Sequence, residues 1–406
     1  MFRSIGLMSG TSMDGIDAAL IETDGLSQIK ELGGLSLSYD ATFKILLKLA
    51  ELAVRDCDGD LEKAKKYYPT IIQNYLTNNP SRYDVTQIKG STFDQVIEQS
   101  TKLHVESVNN LLKQLKYNPK DIYIIGYHGQ TLFHKPSKKI TIQIGDGQLL
   151  ANLTNINVVN DFRSNDVQNG GQGAPFAPLY HLALAIRDKT YPVAIVNCGG
   201  IANITIITGE TDQDVIGFDT GPGNGLIDRL VKLKTNNTES MDKDGKYGTE
   251  GTVNNEILDI LFKKGVLQNN QNYFDIKPPK SLDIGDLKSL EELEKISLQD
   301  ACATLAAFTA ESISRSLDFI DEENLPKNWI LAGGGWNNPV ILKELETRLE
   351  NKIKAPINIK IAENSKYMEA QMFAYFAVRS VKGLPISVPN TTGVPKPLSG
   401  GCLYKP

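Results

Sequence analysis

The chain opens on a run of mostly hydrophobic positions, 2–8, that reads as a short buried strand. The polar turn Gly10-Thr11-Ser12-Met13-Asp14-Gly15 and a second strand over 16–22 follow, the pattern of a hairpin. Apolar residues then recur every three or four positions, which predicts helices over 42–56 and 95–116. Between them the polar stretch 57–94, with its Asn-Asn-Pro and Lys-Gly-Ser turn signals, reads as an insertion. Past Asp121, strands at 123–127, 140–144 and 157–160 alternate with helices at 146–153 and 176–188, an α/β pattern. A second hairpin, 192–196 and 204–208, surrounds the turn Asn197-Cys198-Gly199-Gly200-Ile201-Ala202-Asn203, and a strand follows at 215–218. Stretches 234–250 and 266–296 are polar and read as surface loops. A helix at 297–319, a strand at 328–332, the run Gly333-Gly334-Gly335, a helix at 338–350, a strand at 357–361 and a helix at 367–382 complete the pattern. The tail, with five prolines from Pro385 to Pro406, reads as irregular and packed on the surface.

Each half thus starts with strand, Gly-rich polar turn, strand. The echo suggests a duplicated α/β lobe with the two turns facing each other across a cleft, where they can clasp one polyphosphate; two unrelated hairpins that both use glycine are the alternative. The length, 406 residues, suits two or three domains or one two-lobed unit. With 41% hydrophobic and 22% charged residues, disorder, collagen-like repetition and coiled coil are excluded as the main architecture. The formal net charge of -5 speaks against nucleic acid as a partner. Cys57, Cys198, Cys302 and Cys402 are scattered without CxxC spacing, which argues against a zinc site or a secreted disulfide framework and fits a reducing cytoplasm. No apolar signal core stands at the N-terminus and no run of about 18 apolar residues occurs anywhere, so a soluble protein, neither exported nor membrane-bound, is expected.

The turn Gly10-Thr11-Ser12-Met13-Asp14-Gly15-Ile16-Asp17 joins unencumbered backbone N–H groups to two hydroxyls, which suits phosphate oxygens, and Asp14 and Asp17 can hold Mg²⁺ directly or through water. An ordinary Asp-Gly hairpin turn is the plainer reading, and the Gly-Lys-Ser/Thr of a Walker A loop is missing. Gly217-Phe218-Asp219-Thr220-Gly221-Pro222-Gly223-Asn224 leaves a strand and enters a helix, which predicts Asp219 at the strand's C-terminal end beside an exposed helix N-terminus. It would serve there as a general base or, more plainly, as a helix cap. Tyr127-His128-Gly129-Gln130-Thr131 and Gln143-Ile144-Gly145-Asp146 end strands with directional hydrogen-bonding groups of the kind sugar recognition uses, although a lone histidine is more often structural. Asn160-Asp161-Phe162-Arg163-Ser164-Asn165-Asp166 brings a guanidinium able to grip a carboxylate, or else a buried Arg–Asp pair. Gly170-Gly171-Gln172-Gly173-Ala174-Pro175 reads as a close backbone approach. The run Gly333-Gly334-Gly335 before Trp336 leaves room for a flat purine or ribose, or serves helix–strand packing alone.

Taken in order, these motifs closely resemble the anhydro-N-acetylmuramic acid kinases, members of the sugar kinase, Hsp70 and actin superfamily. The carriers run from Gly6-Leu7-Met8-Ser9-Gly10-Thr11-Ser12-Met13-Asp14-Gly15-Ile16-Asp17 through His128-Gly129-Gln130-Thr131, Asp161-Phe162-Arg163 with Asp166, and Gly170-Gly171-Gln172-Gly173-Ala174-Pro175. They continue through Gly199-Gly200-Ile201-Ala202-Asn203 and Gly217-Phe218-Asp219 with Gly221-Pro222-Gly223-Asn224 to Gly333-Gly334-Gly335. The resemblance implies two duplicated actin-like, ribonuclease H-like lobes around a nucleotide and sugar cleft. Residues 1–190 with 367–406 would form the sugar and phosphate-loop lobe, and 191–366 the nucleotide-binding lobe. It also implies a cytoplasmic enzyme, with a homodimer suggested, that uses ATP and Mg²⁺ to convert 1,6-anhydro-N-acetylmuramic acid and water to N-acetylmuramic acid 6-phosphate in cell-wall recycling.

By the same likeness the catalytic aspartate is Asp219, and residues 10–17 with Gly199, Gly200, Asn203 and Gly333, Gly334, Gly335 hold the nucleotide. Asp14 stands on the metal side. Arg163 is the candidate for the substrate's lactyl carboxylate, with His128, Gln130, Gln143, Asp161, Asp166 and Glu369 as further sugar contacts. One departure is Pro278-Pro279-Lys280-Ser281, which in many members continues Thr-Gly-Arg-Glu but here runs Leu282-Asp283-Ile284-Gly285-Asp286. The 57–94 stretch is also longer than a compact member suggests. A levoglucosan-type kinase and an ATP-driven binding module are the competing expectations.

Overall fold

The computed structural model describes residues 1–79, 88–264, 267, 272–282, 285, 287–288, 291–362 and 365–406. In chain order the first half contains β1 (Phe2–Ser9), β2 (Gly15–Thr23), β3 (Ile29–Ser38), α1 (Ala41–Asp56), α2 (Leu61–Asn78), α3 (Phe93–Leu115), β4 (Ile124–Lys135), β5 (Ile140–Ile144), α4 (Gly147–Thr154), β6 (Val158–Asn160) and α5 (Ser164–Gln168). Then come α6 (Ala177–Asp188), β7 (Val193–Cys198), β8 (Ile201–Ile207), β9 (Val215–Pro222), α7 (Gly225–Lys234), α8 (Asn255–Lys264), α9 (Leu298–Ser314), β10 (Asn328–Ala332), α10 (Pro339–Ile353) and β11 (Asn358–Ile361). The chain ends with α11 (Met368–Val381) and β12 (Cys402–Tyr404). Two compact units result: Met1–Phe176 with Lys366–Pro406, and Ala177–Ser365. The helix α6, assigned from the sequence to the first lobe, packs on β8 and β9 and belongs to the second unit.

The sheet of the first unit has the order β3-β2-β1-β4-β6, extended by β12, with β5 paired to β4; that of the second is β9-β8-β7-β10-β11. In both, the first three strands are antiparallel, while β1, β4 and β6 in one and β7, β10 and β11 in the other run parallel. One strand order used twice is the duplicated α/β lobe that the echo of motifs led us to expect. Each unit has its own apolar core, around Leu7, Phe43, Val96 and Tyr127 in one and Val196, Phe218, Phe308 and Trp329 in the other.

Local chemistry sets the elements. In α1, Phe43, Leu46, Leu47, Ala50, Ala53 and Val54 form one buried face, and the Asp40 carboxylate caps its start by accepting from the Phe43 N–H at 2.8 Å. A reciprocal capping box of Thr92 and Gln95 starts α3. The helix α11 lies so close over β1 and β4 that a Cβ on Gly6 would stand 1.7 Å from the Ala370 carbonyl oxygen, and one on Gly126 2.0 Å from that of Phe373.

Three expectations change. The 57–94 stretch is not a polar insertion throughout: its first part is α2, whose Ala64, Tyr68, Ile71 and Ile72 are buried, although Pro69 and a cluster of lysines disguise the period. The strand β3 went unread because Gly33-Gly34 interrupts its alternation, and Gly33 sits at a bulge opposite Leu20. The tail is not irregular to the end, since β12 adds antiparallel to β6. Residues 80–87, Asp283, Ile284 and Asp286 lie outside the described residues. No described helix is long and apolar enough to cross a membrane.

Candidate functional site

In the second unit β9 runs on to Pro222, so Asp219 stands inside the strand rather than at its C-terminal end. Asn203 pairs with Asp219 and Ala202 with Gly221, leaving Thr220 as the extra residue of a β-bulge, a device that re-aims neighbouring side chains. Because Asn197 pairs with Asn203 in turn, Asn197, Asn203 and Asp219 form a row on one face across three strands. The Asp219 carboxylate accepts the Leu282 N–H at 2.7 Å. Burial pushes its pKa up to about 7, against the pull of that hydrogen bond. Asp219 nevertheless reaches solvent.

The glycines around it have separate tasks. The Gly223 and Gly225 N–H groups donate to the Gly200 carbonyl at 2.9 and 3.1 Å, and the Asn224 N–H donates to the Gly199 carbonyl at 2.8 Å. Hence the N–H groups entering α7, expected to face an anion, are largely spent on the turn between β7 and β8. A Cβ on Gly223 would stand 2.1 Å from the Gly199 carbonyl oxygen. Gly333, at φ 94°, and Gly335 fit against Cys198, where Cβ atoms would come within 2.5 Å of its carbonyl oxygen and 2.4 Å of its Sγ. Packing therefore accounts for both, while Gly334 alone presents bare backbone to open space.

In the first unit the turn after β1 is anchored at two points. The Met13 side chain is buried with its backbone in the left-handed region, its N–H donates to the Gly10 carbonyl at 3.1 Å, and the Gln130 amide donates to that same oxygen at 2.9 Å. Thr11, Ser12 and Asp14 face solvent. The Lys44 ammonium, 3.3 Å from Asp14, and the neighbouring Ser12 hold its carboxyl below the usual range, so it is ionised. Asp17 accepts the Ser36 hydroxyl at 2.5 Å, Ile16 is core, and Gly15 lets the Leu37 carbonyl approach. No group of three or more metal-ligating side chains occurs among the described residues. A single exposed carboxylate still fits Mg²⁺ that takes its other oxygens from phosphate and water.

Arg163 is the best-placed cation. Its Nε donates to His128 Nε2 at 2.9 Å and its Nη1 to the Gly173 carbonyl at 2.8 Å, with the Phe176 ring 5.6 Å away. His128 Nδ1 lies 2.9 Å from the Gly129 carbonyl, so the imidazole is neutral, with Nδ1 donating and Nε2 accepting. Burial and the guanidinium hold the His128 pKa well below its ordinary value, and burial lowers that of Arg163 to about 10. His128 thus orients the arginine, leaving Nη2 without a protein partner among the described residues. Glu369, in the first turn of α11, reaches solvent but is hemmed in, which raises its pKa; Arg163 opposes the rise and Asp17 adds to it.

Other sugar-contact candidates have structural employment. Asp166 is 2% exposed, with Oδ1 accepting the Gly173 N–H at 2.6 Å and Oδ2 the Thr392 hydroxyl at 2.5 Å, so both oxygens are engaged within the protein. Its partners are the glycine loop and the tail rather than Arg163. Gln130 is buried and holds Gly10. Asp161, at φ 60°, accepts the Ser164 hydroxyl at 2.5 Å and starts α5. Gln143 bonds Thr131 and Thr141 at 3.3 and 2.8 Å and remains half-buried.

The family model described as anhydro-N-acetylmuramic acid kinase matches residues 37–406. The chain belongs to the anhydro-N-acetylmuramic acid kinase family. It is 42% identical to an anhydro-N-acetylmuramic acid kinase of Zymomonas mobilis over 405 residues, covering 99% of each chain. It is 38% identical over 402 residues to one of Rhodospirillum rubrum, covering 99% of this chain and 94% of the relative. Among solved structures, a ROK family glucokinase from Streptomyces griseus in complex with glucose and AMPPNP covers 92% of this chain and 99% of its own at a TM-score of 0.40 and 11% identity, too distant to bear on the site. Sequence reasoning missed Asn197, whose signal is a polar residue closing the apolar run of β7, and the Leu282 amide, which as a backbone group leaves no signal at all.

Proposed function

We propose that this family member acts on 1,6-anhydro-N-acetylmuramic acid, opening its anhydro ring with water and phosphorylating O6 from ATP. Asp219 takes a proton from the water that attacks the anomeric carbon. As the C1–O6 bond breaks, O6 keeps the electron pair and forms its bond to the γ-phosphorus, and ADP leaves. The products are N-acetylmuramic acid 6-phosphate and ADP, which suits the recycling of cell-wall fragments in the cytoplasm. The observation that carries the reading is the Asp219 carboxyl, held by one amide, accessible, and lifted by burial to a pKa of about 7, where a carboxylate is a usable base at neutral pH.

The turn over Gly10, Thr11, Ser12 and Asp14 offers N–H groups and hydroxyls to phosphate oxygens, with the backbone at Gly334 and the neighbouring Gly199 turn as nucleotide contacts of the second unit. Mg²⁺, held by Asp14 and phosphate, would supply charge neutralisation. Arg163, aimed by His128, pairs with the lactyl carboxylate, and Glu369 contributes a hydrogen-bond acceptor to the sugar. The test is ADP release with ATP, Mg²⁺ and the anhydro sugar, beside levoglucosan, N-acetylmuramic acid and no sugar, with the product mass recorded. A product heavier by phosphate and water, formed from the anhydro amino sugar alone, is expected. Turnover of levoglucosan in its place would move the substrate, and ATP loss independent of any sugar would overturn the kinase reading.

A further inference from the structure

The strand β9 is the edge of its sheet, and at Asp219 its outer side is covered by the segment 272–282. The Asp219 N–H donates to the Lys280 carbonyl at 3.1 Å and the Tyr273 hydroxyl donates to the Asp219 carbonyl at 2.5 Å, so both main-chain groups of Asp219 on the open edge are taken. The Leu282 N–H reaches the carboxylate itself at 2.7 Å. The Lys280 ammonium closes the circuit by donating to the Tyr273 carbonyl at 3.2 Å.

Lys280 is costly to place there. It is 7% exposed and makes no ion pair among the described residues. Its ammonium lies 4.4 Å from the Tyr273 ring centre and 5.9 Å from those of Phe218 and Phe274, and burial lowers its pKa to about 8, against the attraction of the Asp275 carboxylate in the same segment. A buried amine held by rings and one carbonyl is tolerated where those contacts fix something else. Asp219 has no other side-chain hydrogen bond in the described structure, so the position of the Leu282 amide, and with it the hydration of the carboxyl, depends on how firmly this segment is held.

We propose that Lys280 and Tyr273 brace the 272–282 segment so that the Leu282 amide stays on the Asp219 carboxylate and bulk water stays off it, making both positioning residues for the base. The proposal rests on the reading of Asp219 as that base. Loosening the brace lets water reach the carboxyl and weakens the Leu282 hydrogen bond; the first lowers its affinity for a proton and the second raises it, and since desolvation is the dominant influence the affinity falls. A weaker base then works over a wider pH range at a lower plateau.

The experiment compares the intact enzyme with Lys280→Met, which keeps the stem and removes the charge, and Tyr273→Phe, which removes one oxygen. The Asp219 carboxyl is titrated by ¹³C NMR of aspartate-labelled protein, assigned by its disappearance in Asp219→Asn, and kcat and KM are followed against pH. In both variants we expect the carboxyl pKa and the acid limb of kcat to fall together by about one pH unit, with kcat lowered roughly tenfold and KM for ATP unchanged. The double variant should lose no more than the worse single one, because both act through one segment. An unmoved titration with kcat and thermal stability declining in proportion would mean packing alone and overturn the brace. If Asp219→Asn instead retains turnover, the base assignment fails, while the titration still decides whether the brace controls the carboxyl.

Discussion

In the first unit the turn after β1 leaves Thr11, Ser12 and Asp14 in solvent and is held from behind by Met13 and Gln130. The turn after β7, at the same place in the same strand order, is stitched through Gly199 and Gly200 to the N–H groups of residues 223–225. Equal topology is therefore held in unequal ways: one turn is open and polar, and the other spends its Gly199 and Gly200 carbonyls on fixing the end of β9 beyond Asp219. A glycine-rich hairpin says that the backbone comes close to something. Whether the something is ligand or protein is settled by what lies within reach of the missing Cβ.

The sharpest break of this comparison is Asp219→Asn. As the proposed base it should lower kcat by at least about a hundredfold, and it should also stabilise the fold at pH 8. The sign follows from the raised pKa: the native state holds the Asp219 proton up to about pH 7 while the unfolded chain releases it near 4, so stability falls as pH rises between them. An amide, neutral throughout, escapes that loss, and a melting temperature at pH 8 below that of the intact protein would contradict the desolvation argument.

Next is a matched glycine pair. Gly223→Ala forces a Cβ to 2.1 Å from the Gly199 carbonyl oxygen, and should cost about 2–4 kcal/mol in denaturant unfolding. The nearest atom to a Cβ on Gly10 is the Ser12 hydroxyl oxygen at 3.7 Å, so Gly10→Ala should hardly change stability while raising KM for ATP. Equal stability losses in the two variants would erase the distinction between the turns.

Arg163→Met should raise KM for the anhydro amino sugar by roughly tenfold, with KM for ATP unaffected. His128→Phe should give a smaller effect of the same kind, since it removes only the acceptor that aims the guanidinium; a fall in kcat with unchanged sugar KM would place Arg163 elsewhere in the reaction. The smallest effect concerns stability in acid. His104 in the first unit and His181 in the second are buried and neutral, with pKa values lowered by burial to about 4. Their contribution is complete above the unfolded value near 6.5 and is lost as pH falls from there towards 4. His104→Phe should flatten that slope in urea titrations, and an unchanged slope would show that His104 is not buried neutral.

Much of the fold was legible because it is local. Strands such as 140–144 and 328–332 and the helix at 42–56 follow from spacing along the chain alone, as does the paired strand–turn–strand motif. The helix α2 was missed where Pro69 and the lysines obscured a real apolar face, and β12 because three residues acquire strand structure only by pairing with β6. For the site, residue type was legible and employment was not. Asp166 and Arg163 look equally functional in the motif, yet the first has both oxygens engaged by protein and the second keeps Nη2 free of protein partners in the described structure.

The sequence by itself determined the family, the repeated strand–turn–strand motif and the identity of the chemical groups, since these reside in ordered motifs and short-range periodicity. The tertiary structure alone decided what those groups do. Asp219 becomes a carboxyl with a pKa of about 7 through desolvation by residues remote in the chain, against the pull of an amide 63 positions away. His128 becomes a neutral acceptor because it is buried and Arg163 arrives from 35 positions on. Hydration and hydrogen-bond partnership depend on which distant segments meet, and that information exists only once the chain has folded.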